Sequence, residues 1–117
     1  MIAVTTTTLF ETTESRNGNR QATAFLGYGE SSDAYHMSHP HPTGQGAILA
    51  MEGSLESSHL SISDIDYIHM HGTATVTNDQ TEDRAVATMF QAQTPCSSTK
   101  GWTGHTLGAA GAVGVVL

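Results

Sequence analysis

The chain has 117 residues, the length of one domain, and a net charge of −7 with only Arg16, Arg20, Arg84 and Lys100 positive. No basic patch is available to line up phosphates along a nucleic acid backbone, which argues against nucleic acid as a partner. A single cysteine, Cys96, rules out an internal disulfide, and no apolar run reaches the length of a membrane span or forms a signal peptide, so composition points to a soluble, cytoplasmic protein.

Ile2 to Phe10 is rich in β-branched residues and reads as a strand, and the polar stretch Glu11 to Arg20, centred on Asn17-Gly18, reads as the turn after it. Ala22 to Tyr28 is the second strand, punctuated by Gly27 and Gly29, and Glu30 to Pro42 is a polar loop holding His36, His39 and His41. Ala47, Ile48, Met51 and Leu55 recur at helical spacing with Glu52 and Glu56 flanking them, which predicts a helix over Thr43 to Ser58 whose apolar face packs on a sheet. Ser63-Asp64 makes a turn. Ile65, Tyr67, Ile68 and Met70 then form a short strand that delivers His71 at its C-terminal end. Asp79 is placed to cap a helix, with Glu82 three residues later, and Ala85, Val86, Met89 and Phe90 line one face of it from about Gln80 to Phe90. Pro95 to Ser98 is a short strand leading into a loop with Lys100. Leu107 to Leu117 is an almost uncharged helix of small residues, suited to burial inside a larger body.

The element order β, β, α, β, α, β, α is mixed α/β, with neither an internal repeat nor a low-complexity linker. Within it, His71-Gly72-Thr73, Ser98-Thr99-Lys100 and Gly104-His105 supply two imidazoles and an amine in loops after strands. Glycine beside each histidine lets backbone approach a ligand without Cβ interference, and each imidazole can donate an N–H to a developing negative oxygen. The residue types suit an oxyanion or enolate site.

The strings HGTATVTND, SSTKGWTGH and LGAAGAVG, with GYGESSDAYHMSHPHPTGQGA upstream, resemble the C-terminal half of the β-ketoacyl-acyl carrier protein synthases, condensing enzymes of the thiolase fold. The likeness runs from about Leu26 onward, and TPCSSTKGWTGHTLGAAG is closer in wording to ketosynthases of aryl polyene pathways than to those of housekeeping fatty acid synthesis. It implies the C-terminal half of a thiolase-like αβαβα layered fold, residues 1–117 being a fragment whose preceding half holds the nucleophilic cysteine. The implied reaction is decarboxylative Claisen condensation of malonyl-carrier with an acyl thioester in fatty acid or polyene biosynthesis. No cofactor and no metal are expected. The implied partner is acyl carrier protein, with a homodimer or heterodimer in the complete enzyme.

By the same resemblance, His71 and His105 match the two histidines that drive decarboxylation and stabilise the enolate. Lys100 matches the lysine that orients the site, and the glutamate that usually pairs with it falls on Gly114. Thr73 and Thr75 match hydroxyls that hold the pantetheine arm, and Ser38 stands where a third hydroxyl, usually threonine, is found. An acidic carrier would have to dock on basic residues outside this acidic chain.

Taken without the resemblance, these residues also fit structural histidines, a solvated lysine and ordinary turn hydroxyls. Cys96 is expected to be a buried structural thiol, and the acyl-accepting cysteine has no counterpart here. His36, His39 and His41 are of a type that binds zinc, nickel or copper, but two prolines disfavour a preformed tetrahedral site, so they are expected to serve as loop residues. Competing readings are a degradative thiolase, disfavoured by its different histidine and cysteine motifs, and a non-catalytic truncated module that keeps the fold and its dimer or partner contacts.

Overall fold

The computed structural model describes residues 4–14 and 21–116, with side chains from residue 24 onward. Strands β1 (Val4–Glu14) and β2 (Gln21–Ser32) form an antiparallel hairpin with Thr8 opposite Tyr28 and a bulge between Leu9 and Phe10. Both strands run beyond the lengths expected from composition, taking in Glu11 to Glu14 and Glu30 to Ser32. In an antiparallel ribbon the partner backbone satisfies each residue's polar groups, and one face can be solvated, so polar side chains do not end the ladder. Ile2 and the Asn17-Gly18 turn lie outside the described residues.

Helix α1 (Gln45–Ser58) lies across this hairpin. Its buried positions are Gly46, Ala50 and Ser54, whereas Ala47, Ile48, Met51 and Leu55, the expected core face, are only half-buried. The reason is the closeness of the contact. A Cβ at Gly29 would run into the Ala50 carbonyl oxygen and the Ser54 amide, and one at Gly27 would lie 2.5 Å from Ser57 Oγ. Helix and strand therefore meet backbone to backbone through a stripe of small residues, and the larger side chains are displaced to its flanks. Ser57 Oγ seals the contact, accepting from the Tyr28 amide at 3.0 Å and donating to the Tyr28 carbonyl at 2.9 Å.

After a single 3-10 turn at Ile62–Asp64, strand β3 (Ile68–His69) pairs in parallel with β4 (Cys96–Ser97). Parallel neighbours need a crossover, and α2 (Val76–Phe90) provides it. This helix begins a turn earlier than expected. Thr75, with extended backbone, is its N-cap, and Asp79 sits in the first turn with its amide donating to the Thr75 carbonyl at 2.9 Å. A carboxylate there still favours the positive end of the helix dipole. Thr81, Ala85, Val86 and Phe90 are buried, and with Ala50 and Ser54 they make up most of a thin core.

The Lys100 loop is a single turn of helix, α3 (Lys100–Thr103), and the expected Leu107 to Leu117 helix is split into a 3-10 turn at Leu107–Ala109 and the short α4 (Ala110–Val116). Leu107 has a φ of 53°, which no continuous α-helix accommodates, and its amide donates to His105 Nδ1 at 3.0 Å. Leu117 lies outside the described residues. No helix among the described residues is long and apolar enough to cross a membrane.

Candidate active site

The β3–α2–β4 unit brings the candidate site residues together. In a parallel pair both strands end at the same edge, and the loops leaving that edge form a crevice. His71 follows β3 and Lys100 follows β4, so an imidazole and an amine separated widely in sequence leave the sheet side by side. The turn after α3 then returns His105 to the same place. The His71 and His105 rings meet edge to face, with centroids 5.1 Å apart and planes at 87°.

Each histidine is oriented by backbone chemistry. His105 Nδ1 accepts the Leu107 amide, so in the neutral ring the proton resides on Nε2, which is left as a donor. At His71 the main chain is held by a carboxylate: Glu82, from the second turn of α2, accepts the His71 amide through Oε1 and the Gly72 amide through Oε2 at 2.8 Å. Charge-assisted bonds to two successive amides fix the direction in which the chain leaves β3. Gly72 itself, at a φ of 49°, abuts Ser98 so closely that a Cβ would fall 2.5 Å from the Ser98 Cβ. Ser98 Oγ in turn donates to the His71 carbonyl at 3.4 Å and accepts from the Lys100 amide at 3.3 Å, tying the two loops together.

Glu82 was not among the site residues that sequence reasoning named. It reads there as a helix-start acid, and only the fold brings the helix back over the His71 amide. Burial of the ring holds the His71 pKa below its ordinary 6.5, the Lys100 ammonium and His105 push it the same way, and Glu82 and Asp79 oppose them. The net lowering favours the neutral form of the His71 ring.

Thr73 and Thr75 leave the same loop with their hydroxyls 3.0 Å apart, on either side of Ala74 at a φ of 63°. Ser38 is elsewhere, in the loop between β2 and α1. Its Oγ bonds to His39 Nδ1 at 2.9 Å and His36 Nδ1 at 3.3 Å, and the loop walls a cavity of about 310 Å³ against Thr77, Gln80 and Arg84 of α2. So the structure gathers His71, His105, Lys100, Thr73 and Thr75 around one sheet edge, and sets Ser38 in the neighbouring loop with its hydroxyl engaged by histidines.

His41 does not join His36 and His39; it turns to Thr43 Oγ1 at 2.8 Å and packs edge-on against Tyr35. Among the described residues no three His, Cys, Asp or Glu side chains converge on a shared metal position. Cys96, expected to be a buried structural thiol, is instead free and exposed, on the short strand β4 whose two residues are both exposed. Lys100 starts a helical turn and is half-buried.

Residues 22–117 match the model of the β-ketoacyl synthase C-terminal domain. The chain belongs to the β-ketoacyl synthase family. It is 43% identical over 107 residues to the mitochondrial 3-oxoacyl-acyl-carrier-protein synthase of Arabidopsis thaliana, covering 87% of this chain and 23% of that protein. To 3-oxoacyl-acyl-carrier-protein synthase 2 of Coxiella burnetii it is 41% identical over 104 residues, covering 84% of this chain and 25% of the relative. Among solved structures it resembles the ketosynthase ApeO from Xenorhabdus doucetiae, determined with its chain length factor ApeC, at 55% identity and a TM-score of 0.74 over 78% of this chain and 23% of that one. The chain thus spans about a quarter of the length of the synthases it matches. The thiolase-type α/β fold of those ketosynthases is the fold of this segment.

Proposed function

We propose that this chain acts as the C-terminal portion of a 3-oxoacyl-acyl carrier protein synthase, an acyltransferase, and that it carries the decarboxylation machinery of the condensation. The observation that carries this reading is the His71–His105 pair, two imidazoles 5.1 Å apart at the end of a parallel strand pair. In the reaction, the bond between the malonyl carboxylate and Cα breaks, CO2 leaves, and the electron pair is delocalised onto the thioester oxygen. That oxygen gains most of a negative charge in the transition state. Two imidazole N–H groups aimed at it stabilise the transition state more than the ground state, each by about 3 kcal/mol.

Neutrality of His71 matters for this role. An imidazolium would hand its proton to the enolate and quench the carbon nucleophile that must attack the acyl thioester. Burial and Lys100 both favour the neutral form. The Thr73 and Thr75 hydroxyls, 3.0 Å apart at the mouth of the same loop, suit the amides of a pantetheine arm, and Ser38 is assigned a third contact further out. In this reading the acyl-accepting cysteine is supplied from outside this segment, since Cys96 lies on the short strand β4 and not at the helix N-terminus where an activated thiolate is favoured. This reading makes acyl carrier protein the partner, since its substrates are carrier-bound. Similarity to ApeO and the TPCSSTKGWTGHTLGAAG string favour a polyene pathway as the setting.

The test is the decarboxylation of malonyl-carrier by a full-length synthase containing this segment. His71→Ala and His105→Ala should each lower the rate by about a hundredfold or more. Wild-type decarboxylation in either variant would overturn the reading.

A further inference from the structure

His69 ends β3, and His71 lies two residues on in the same extended run, whose ladder continues from the Met70 amide to the Ser97 carbonyl at 2.8 Å. Residues i and i+2 of a strand project to the same side, so the two imidazoles share a face. The chain after α3 covers that face twice. His105 meets the His71 ring, and α4 crosses the His69 ring at Gly114.

The second contact is the tighter one. A Cβ built on Gly114 lands 2.5 Å from His69 Cδ2 and 3.1 Å from Cε1, and also collides with Nε2. Position 114 accepts only glycine while the His69 ring keeps its place, because a close-packed contact has no slack to absorb a methyl group. His69 Nε2 is shut off from solvent and takes no hydrogen bond, so ring and helix touch directly. Gly114 has ordinary helical surroundings and is half-buried, which leaves the neighbouring imidazole as the reason for its missing side chain.

We infer that His69 is a positioning residue for the histidine pair, matched in shape to Gly114. Its ring sets the distance between β3 and α4, and α4 is continuous through the Leu107 turn with the loop that carries His105. The separation of His71 and His105 thus depends on a contact that neither of them makes. The inference rests on the decarboxylation reading, and it explains why a position at which the resemblance leads one to expect a carboxylate holds glycine: the imidazole occupies the room a larger residue would need.

The experiment is a double-mutant cycle in the full-length synthase, reading kcat and KM for malonyl-carrier decarboxylation, with His71→Ala as a control. Gly114→Ala should lower kcat about tenfold or more with KM nearly unchanged, since it shifts the donors and leaves the carrier contacts alone. His69→Ala should lower it comparably. Combining them, His69→Ala with Gly114→Ala, should restore kcat above either single variant, because the added methyl then fills the vacated space. If Gly114→Ala fails to fold, recovery of soluble, cooperatively melting protein in the double variant reads the same coupling. A double variant no better than the worse single one, or an unaffected Gly114→Ala, would overturn the pairing. Should His71→Ala itself retain full activity, it is the decarboxylation reading that fails; loss in His71→Ala with no coupling between His69 and Gly114 sinks the pairing alone.

Discussion

Lys100 and Glu82 act on His71 in opposite directions, and that opposition is measurable. The ammonium of Lys100 lowers the His71 pKa and the Glu82 carboxylate raises it, on top of the lowering that burial imposes. Since the neutral ring is the working form, decarboxylation by the full synthase should fall on an acid limb set by His71 and lying below pH 6.5. Lys100→Met removes a lowering influence, so the limb should move to higher pH; Glu82→Gln removes a raising one, so it should move lower. A pH–rate profile of each variant checks both signs, and shifts in the same direction would contradict the assignment. Glu82→Gln should also cost about tenfold or more at the pH optimum, because one of the two acceptor oxygens that hold the His71 and Gly72 amides is replaced by an NH2 group that only donates. Of these residues, sequence reasoning named Lys100 and His71 but not Glu82 as part of the site, since a carboxylate in a helix has no local mark that says which distant amide it will meet.

Among the elements, the hairpin and α1 depend on glycine in a way that hydrophobic periodicity does not reveal. Pattern reading selects Ala47, Ile48, Met51 and Leu55 as the packed face, yet the contact runs through Gly46, Ala50 and Ser54. Gly29→Ala should therefore destabilise the protein by about 1–3 kcal/mol through overpacking against Ala50, Gly53 and Ser54, although alanine is the better strand and helix former than glycine in isolation. Denaturant melts of the full synthase check this, and an unchanged midpoint would show that α1 can move off the hairpin at no cost. The start of α2 carries the same lesson. Asp79 and Glu82 look like a capping pair, but Thr75 holds the N-cap position, and this earlier start brings Glu82 to the second turn, where it reaches the backbone after β3.

For the molecule as a whole, large apolar side chains remain open to solvent around the C-terminal elements: Trp102 is 92% exposed, Leu107 78% and Val116 84%. The described core is correspondingly thin, with Ala50, Ala85, Val86 and Phe90 as its buried apolar residues. We expect the 117-residue chain by itself to self-associate at micromolar concentration and to show no condensing activity, as the proposed reading supplies the acyl-accepting cysteine from elsewhere in the synthase. Sedimentation and thermal melts test the first expectation, where a sharply melting monomer would contradict it; turnover of acyl- and malonyl-carrier tests the second. The family and the α/β fold class were legible in the sequence, and the candidate residues His71, Thr73, Thr75, Lys100 and His105 could be named there, because they sit in short, locally determined strings such as a strand, a histidine and a glycine in immediate succession. What the strings could not determine is distance. That Lys100 and His71 leave one sheet edge follows from parallel pairing of β3 with β4; that Glu82 holds the His71 backbone follows from α2 folding back over it; that Cys96 is exposed follows from which elements pack around the short β4. Each is a relation between residues far apart along the chain. Local composition sets which groups are present and how each segment prefers to fold, while the close packing of those segments decides which groups meet.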